Sequence, residues 1–192
     1  MRKLITAQLV TLDGVMQDPG GFGELPHGGW SHQHFDDEAV QQSIDLHRGC
    51  DLFLCGRVTY ELLSKAWSGN TGEYPDLVNS SPKLVASTTF SEPLEWNASL
   101  IKGDVVEEIS RIKQEPGKNI VLYGSATLLR TLLRHDLVDE IQTWVFPLIV
   151  GGGKRLFADY VPRAFELIDT KQLTSGMVIH SYRPVRGPVK EA

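Results

Sequence analysis

The chain has 192 residues, 41% hydrophobic and 22% charged, with 24 acidic against 19 basic side chains and a formal net charge of −5. That length favours one domain, read as 1–192 with an ordered core over about 2–183 and a short polar C-terminal tail, and the composition excludes disordered and low-complexity classes. An acidic chain without a basic stripe argues against nucleic acid, and its longest apolar run, Trp144 to Val150 broken by Pro147, is far short of the roughly 20 residues of a spanning helix.

The N-terminal segment alternates, with Thr6 and Gln8 among apolar neighbours, and predicts a first strand over Leu4 to Leu12 rather than a signal peptide. Asp13-Gly14 ends it as a turn. Val15 to His34 carries Pro19-Gly20-Gly21, Gly23, Pro26 and Gly28-Gly29, too many breakers for a regular element, and predicts a long ordered loop. From Phe35 the residues Ala39, Val40, Ser43, Ile44 and His47 recur at helical spacing up to Gly49. Asp51 to Cys55 is a short buried strand, and Val58 to Trp67 a helix. Gly69 to Pro75 reads as a loop, Lys83 to Ala86 as a strand, and Pro93 to Ile101 as holding one more short strand.

Asp104 is placed to cap a helix whose Val105, Val106, Ile109 and Ile112 share one face, ending before Pro116-Gly117. Asn119 to Tyr123 is the next strand. Ser125 to His135 is a helix with Leu128, Leu129, Leu132 and Leu133 at helical spacing, and Val138 to Val150 is largely strand. Two closing strands fall around Ala164 to Thr170 and Met177 to Tyr182. Strands alternating with helices, then consecutive strands, predict an α/β fold whose mixed, mainly parallel sheet has an antiparallel C-terminal edge. Cys50 and Cys55, the two cysteines, flank an apolar run, which suits a reducing, cytoplasmic compartment.

In such a sheet a ligand binds outside the carboxyl ends of the strands. Two of the turns found there, Gly56-Arg57-Val58-Thr59 and Gly124-Ser125-Ala126-Thr127, are glycine and hydroxyl residues opening helices, where free N–H groups and the helix dipole attract phosphate. Together they could clamp a pyrophosphate; each alone is equally ordinary helix capping. Neither is a G-x-G-x-x-G fingerprint, and Gly151-Gly152-Gly153-Lys154-Arg155 lacks the Ser or Thr of a phosphate-binding P-loop. His27, His32 and His34 lie near Asp36 and Asp37 without a ligand spacing that fixes a geometry, so no metal is expected. The zinc deaminase motifs and the G-x-S-x-G of serine hydrolases are absent.

Leu12-Asp13-Gly14, Gly56-Arg57-Val58-Thr59-Tyr60, Ser87-Thr88, Tyr123-Gly124-Ser125-Ala126, Leu137 to Glu140, Pro147 to Gly153 and Leu156-Phe157 follow one another over nearly the whole chain. In that order they resemble the dihydrofolate reductase superfold family, and more closely the C-terminal reductase domain of the riboflavin-pathway deaminase-reductase. The resemblance implies a three-layer fold and an NADPH-dependent oxidoreductase, NADH remaining open because no arginine follows Ser87-Thr88. It assigns the cofactor phosphates to Gly56, Arg57, Thr59, Gly124, Ser125, Ala126 and Thr127, and its adenosine ribose to Ser87 and Thr88, with Arg57 or Lys83 left to meet a 2′-phosphate.

On the substrate side the resemblance implies Leu12, Asp13, the loop ending at Trp30, Pro147, and Gly151, Gly152, Gly153 and Arg155, the last group as a phosphate nest or simply a surface turn. Asp13 is the expected proton donor, with Asp36, Asp37 and Glu38 as the helix carboxylates that a folate reductase would use instead. The reaction it names is reduction of 5-amino-6-(5-phosphoribosylamino)uracil; the alternatives are dihydrofolate or pterin reduction, or nucleotide binding without turnover. A small-molecule substrate and a homodimer complete the expectation.

Overall fold

A computed structural model describes residues 1–158, 160 and 162–185; the expected polar tail falls largely on 186–192, outside the described residues. Eight strands form one sheet in the order β4-β3-β2-β5-β1-β6-β8-β7. At its centre lies β1 (Leu4–Thr11), parallel to β5 (Asn119–Tyr123) on one side and to β6 (Glu140–Phe146) on the other. Outward from β5 come β2 (Cys50–Gly56), β3 (Lys83–Ala86) and the three-residue β4 (Ala98–Leu100), all parallel. On the far side β8 (Val178–Pro184) and β7 (Phe165–Gln172) pair antiparallel, giving the mixed sheet expected.

Central parallel strands covered on both faces read as near-continuous apolar runs, and β1 is buried along almost its whole length. One face packs on α4 (Val105–Gln114) and α5 (Ala126–Arg134), through Ile109 and Ile112 from the first and Leu128, Leu129, Leu132 and Leu133 from the second. Fully burying each such leucine is favourable by about 1.5–3 kcal/mol before entropy is counted. The other face carries α1 (Asp37–Arg48) and α2 (Arg57–Trp67), with Ala39, Trp144, Phe146 and Ile179 in one cluster and Phe53, Cys55, Tyr60 and Val121 in another. Both cysteines are unpaired, and burial pushes their thiols up to about 11 and about 12, so they serve as small apolar groups. Among the described residues no helix is long and apolar enough to cross a membrane.

Three details differ from the sequence reading. A further helix, α3 (Glu73–Ser80), runs where Gly69 to Pro75 predicted loop, because Pro75 sits in its first turn, where a missing N–H leaves no helical bond unmade. Strand β6 stops at Phe146, before Pro147, rather than reaching Val150. Lys83, proposed for a 2′-phosphate, is buried: its Nζ donates to the carbonyls of Val78 (2.6 Å), Ser81 (2.7 Å) and Asn79 (3.3 Å) and lies 4.3 Å from the Trp96 ring centre. It closes the C-terminal end of α3, where a cation is favourable, and has no donor left for a ligand.

Candidate active site

β2 and β5 are neighbours, so Gly56, the last residue of β2, and Gly124, which follows β5, stand side by side at the carboxyl edge of the sheet. The helices they open differ from two others in the fold. Asp36 and Asp104 cap α1 and α4 with their carboxylates, accepting from the N–H groups of Ala39 and of Val106 and Glu107. No side chain caps α2 or α5. The hydroxyls that capping would have used bond across the junction instead: Ser125 Oγ accepts from the Gly56 N–H at 2.6 Å and lies 2.8 Å from Thr59 Oγ1. That leaves the orphan N–H groups of two helix starts, with their dipoles, aimed at one place.

The junction is close enough to demand glycine. A Cβ on Gly124, whose φ is +56°, would come within 2.9 Å of Thr59 Oγ1, and one on Gly56 within 3.1 Å of Ser125 Oγ.

A cleft of about 930 Å3 opens over this junction. Gly56, Arg57, Thr59, Ser87, Thr88, Gly124, Ser125, Ala126 and Thr127 all line it, so the structure brings together the nine positions named for the cofactor. Ser87 Oγ holds its own turn by accepting from the N–H groups of Thr89 (3.2 Å) and Phe90 (3.1 Å). Arg57 is held by both carboxylate oxygens of Glu61, at 2.8 and 3.0 Å, an exposed pair that binds loosely. Gln8, from β1, donates to Thr6 Oγ1 and to the Gly124 carbonyl, while its buried Oε1 has no partner among the described residues. A buried acceptor without a donor on the wall of a cleft suits an amide or amine N–H of a ligand.

Behind the cleft lies a second cavity of about 540 Å3, sharing with it Leu9, Pro19, Phe22, Leu63 and Tyr123. Its walls come from the loop between β1 and α1, from α1, α2 and α3, and from the sheet, and half of its lining residues carry aromatic rings. His47 from α1 stacks on Tyr123 (centroids 5.3 Å apart, planes at 15°) with Tyr74 edge-on at 5.5 Å. Burial, with the Lys83 charge adding to it, holds the His47 imidazole down to about 4, and its Nε2 meets no partner. Burial likewise raises the Tyr123 phenol well above its ordinary 10. The sequence shows His47 as one more residue on the core face of a helix and Tyr123 only as the start of the Tyr123-Gly124-Ser125-Ala126 motif, and no local motif marks Tyr74.

The residues named for the substrate side gather elsewhere. Asp13 accepts from Thr11 Oγ1 (2.6 Å) and from the N–H groups of Gly151 (3.0 Å) and Val150 (3.3 Å), and the Arg155 guanidinium donates to the Asp13 carbonyl at 2.6 Å. These hydrogen bonds, the Thr11 hydroxyl first, hold its carboxyl below the ordinary range. Leu12 is exposed and donates its N–H to the Leu148 carbonyl, next to Pro147. Asp13, Leu12, Pro147, Gly151, Gly152, Gly153 and Arg155 thus build the junction between the first loop and the 147–155 loop, and none lines either cavity; their neighbour Lys154 reaches the larger one. Trp30 is buried against Phe146 (5.1 Å, edge-on) with its indole N–H on the Gln17 carbonyl, a core anchor beside the smaller cavity. Asp36 and Glu38 both accept from Thr174. No metal-ligand cluster is found among the described residues.

Comparison with known proteins adds four findings. The family model described as RibD C-terminal domain matches residues 2–179. The uncharacterized protein YyaP of Bacillus subtilis is 33% identical over 185 residues, 92% of each chain. Among solved structures, a putative riboflavin biosynthesis protein from Shewanella sp. PV-4 superposes with a TM-score of 0.76 at 24% identity, covering 96% of this chain and 99% of its own. The Thermotoga maritima diaminohydroxyphosphoribosylaminopyrimidine deaminase/5-amino-6-(5-phosphoribosylamino)uracil reductase does so at 0.65 and 14%, the match spanning 57% of its length. Both superpositions speak for the fold.

Proposed function

The chain belongs to the RibD C-terminal domain family, and from that premise we propose that it is a nicotinamide-dependent reductase, holding NADPH or NADH in the larger cleft and a small heterocyclic substrate in the cavity behind it. The observation that carries the reading is the convergence of the nine residues of three separate turns on one cleft, at two helix N-termini that no side chain caps. The residues fit the group: glycine at positions 56 and 124 leaves the backbone free to approach a pyrophosphate, and Gln8 Oε1 is an unused acceptor on the same wall.

The first-turn N–H groups of α2 and α5 would bind the phosphates, Ser87 and Thr88 the adenosine ribose, and Arg57, released from Glu61, a 2′-phosphate. The bound nicotinamide would supply a hydride. Leu9, Phe22 and Leu63, on the wall between the two spaces, exclude water from the ring edges, and Tyr123 on the same wall keeps its phenolic proton. Asp13, held as a carboxylate away from both spaces, positions the 147–155 loop that brings Lys154 to the cleft. A folate-type carboxylate does not line the smaller cavity among the described residues, which weighs against pterin reduction. The family's own reaction, on 5-amino-6-(5-phosphoribosylamino)uracil, supplies the ring class of the proposed substrate, an aminopyrimidine, and a cytoplasmic homodimer belongs to the same proposal.

Titration with NADPH and, separately, NADH tests it, with tryptophan fluorescence as the readout, since Trp67 and Trp144 line the adjoining cavity. Saturable quenching by either is the expected result, and tighter binding of NADPH would show Arg57 reading the 2′-phosphate. Absence of binding by both overturns the reading.

A further inference from the structure

The smaller cavity has a chemistry unlike that of a phosphate-binding site. Among the described residues its lining includes no lysine, arginine, aspartate or glutamate, and its rings, among them Phe35, Trp67, Tyr74 and Trp144, line a space of about 540 Å3, within the range of a bicyclic ring or a ring with one sugar. Phe35 and Trp144 stack in parallel (6.2 Å, 15°), and His47 and Tyr123 do the same on the other wall. A flat guest meets dispersion and quadrupole attraction on both sides there. A phosphate carries between one and two negative charges near neutral pH and would lose its water to such walls with no lysine or arginine to replace it. The polar atoms on offer are the hydroxyls of Ser31, Ser43, Tyr74 and Tyr123, the Asn70 amide, the His32 ring, and His47 Nε2, which is buried and has no partner among the described residues.

We propose that this cavity selects an uncharged, unphosphorylated heteroaromatic substrate, and that His47 is the specificity-determining residue, using its free Nε2 for one hydrogen bond to a ring heteroatom. The substrate class rests on the cofactor assignment of the larger cleft; the charge and stacking argument stands on the cavity alone. The proposal separates this chain from the phosphoribosyl reaction for which its Thermotoga structural relative is named.

The test is a matched pair of ligands that share one ring and differ by one phosphate: 5-amino-6-(ribosylamino)uracil and its 5′-phosphate, titrated into the full chain with and without saturating NADPH. Quenching of Trp67 and Trp144 reports occupancy without turnover. The expected result is binding of the nucleoside at least tenfold tighter than its 5′-phosphate, and at least fivefold weaker nucleoside binding in His47→Phe, whose ring still stacks on Tyr123 but lacks the polar atom. His47→Gln, which keeps a donor and an acceptor, should recover part of that loss. Equal or tighter binding of the 5′-phosphate overturns the proposal. So does failure of both uracils to quench while NADPH still binds, which leaves the cofactor reading intact; failure of NADPH with the nucleoside preference preserved does the reverse.

Discussion

His47 is buried, neutral and ringed by Phe53, Tyr74 and Tyr123, and that environment has a measurable consequence for stability. In the unfolded chain an imidazole titrates near 6.5; in the fold, burial holds this one to about 4. Between those values the unfolded chain binds a proton that the folded chain refuses, so stability is complete above pH 6.5 and falls as the pH drops toward 4, by roughly 3 kcal/mol in all. Denaturant unfolding at pH 7 and at pH 4.5 should show that loss, and His47→Phe should remove most of it. The carboxyls of Asp13 and Asp36, held below the ordinary 3.8, lose their contributions only at lower pH, so they leave this window to the histidine. An unchanged slope in the variant would mean that His47 is charged in the fold, or that another group carries the effect. The same residue shows what a sequence conceals. Gly56 and Gly124 were legible because a glycine and hydroxyl turn after an apolar run is a local signal. His47, Tyr74, Phe35 and Trp144 come from four segments, each at a spacing that reads as ordinary core, and only the folded chain gathers them around a cavity.

The α2–α5 junction is where two elements meet with no room to spare. Gly124→Ala would force a left-handed φ on a residue with a Cβ and drive that carbon against Thr59 Oγ1 at 2.9 Å, costing about 1–3 kcal/mol of stability. It would also part the two helix starts, and NADPH affinity should fall at least tenfold by fluorescence titration. Gly151→Ala separates the two effects: its φ of +82° imposes comparable backbone strain, but no atom lies within 4 Å of the added carbon. That variant should lose stability and keep its cofactor affinity. Equal loss of affinity in both would place the effect in general destabilisation rather than in the junction. Elements themselves were mostly legible, since long apolar periodicity fixes α4, α5 and the central strands. The exceptions have local causes. Pro75 disguised α3 by sitting in its first turn, and Pro147 cut short a strand whose apolar residues continue to Val150. The substrate loop was harder still: Asp13 and Gly151 to Gly153 carry the residue types of a binding nest, yet the Asp13 carboxylate accepts the Val150 and Gly151 N–H groups for the loop itself.

The sheet as a whole ends in two edges, and their shapes limit how two molecules can pair. On one side β4 has three residues, too short a ladder to recruit a partner strand. On the other, β7 is longer but bulged between Leu167 and Asp169, and its charged residues Glu166, Asp169 and Lys171 interrupt an otherwise open edge. Continuous edge-to-edge pairing is therefore disfavoured at both ends, and a homodimer of the kind the family resemblance implies must instead cover side chains. Leu167 and Ile168 are exposed on β7 at 54% and 38%, and Val185, at 45%, is tied to its start through the Ala164 carbonyl. Burying such residues is the driving force available on this side of the fold. Sedimentation equilibrium of the intact chain should then give twice the 21.4 kDa of one copy, and Leu167→Glu should return it to a single copy while leaving NADPH binding unchanged, because the cleft lies at the ends of β2 and β5. A native mass of one copy would remove the dimer. A dimer that survives Leu167→Glu would move the interface away from β7, toward the exposed Leu12 and Ile149 at the opposite end of β6.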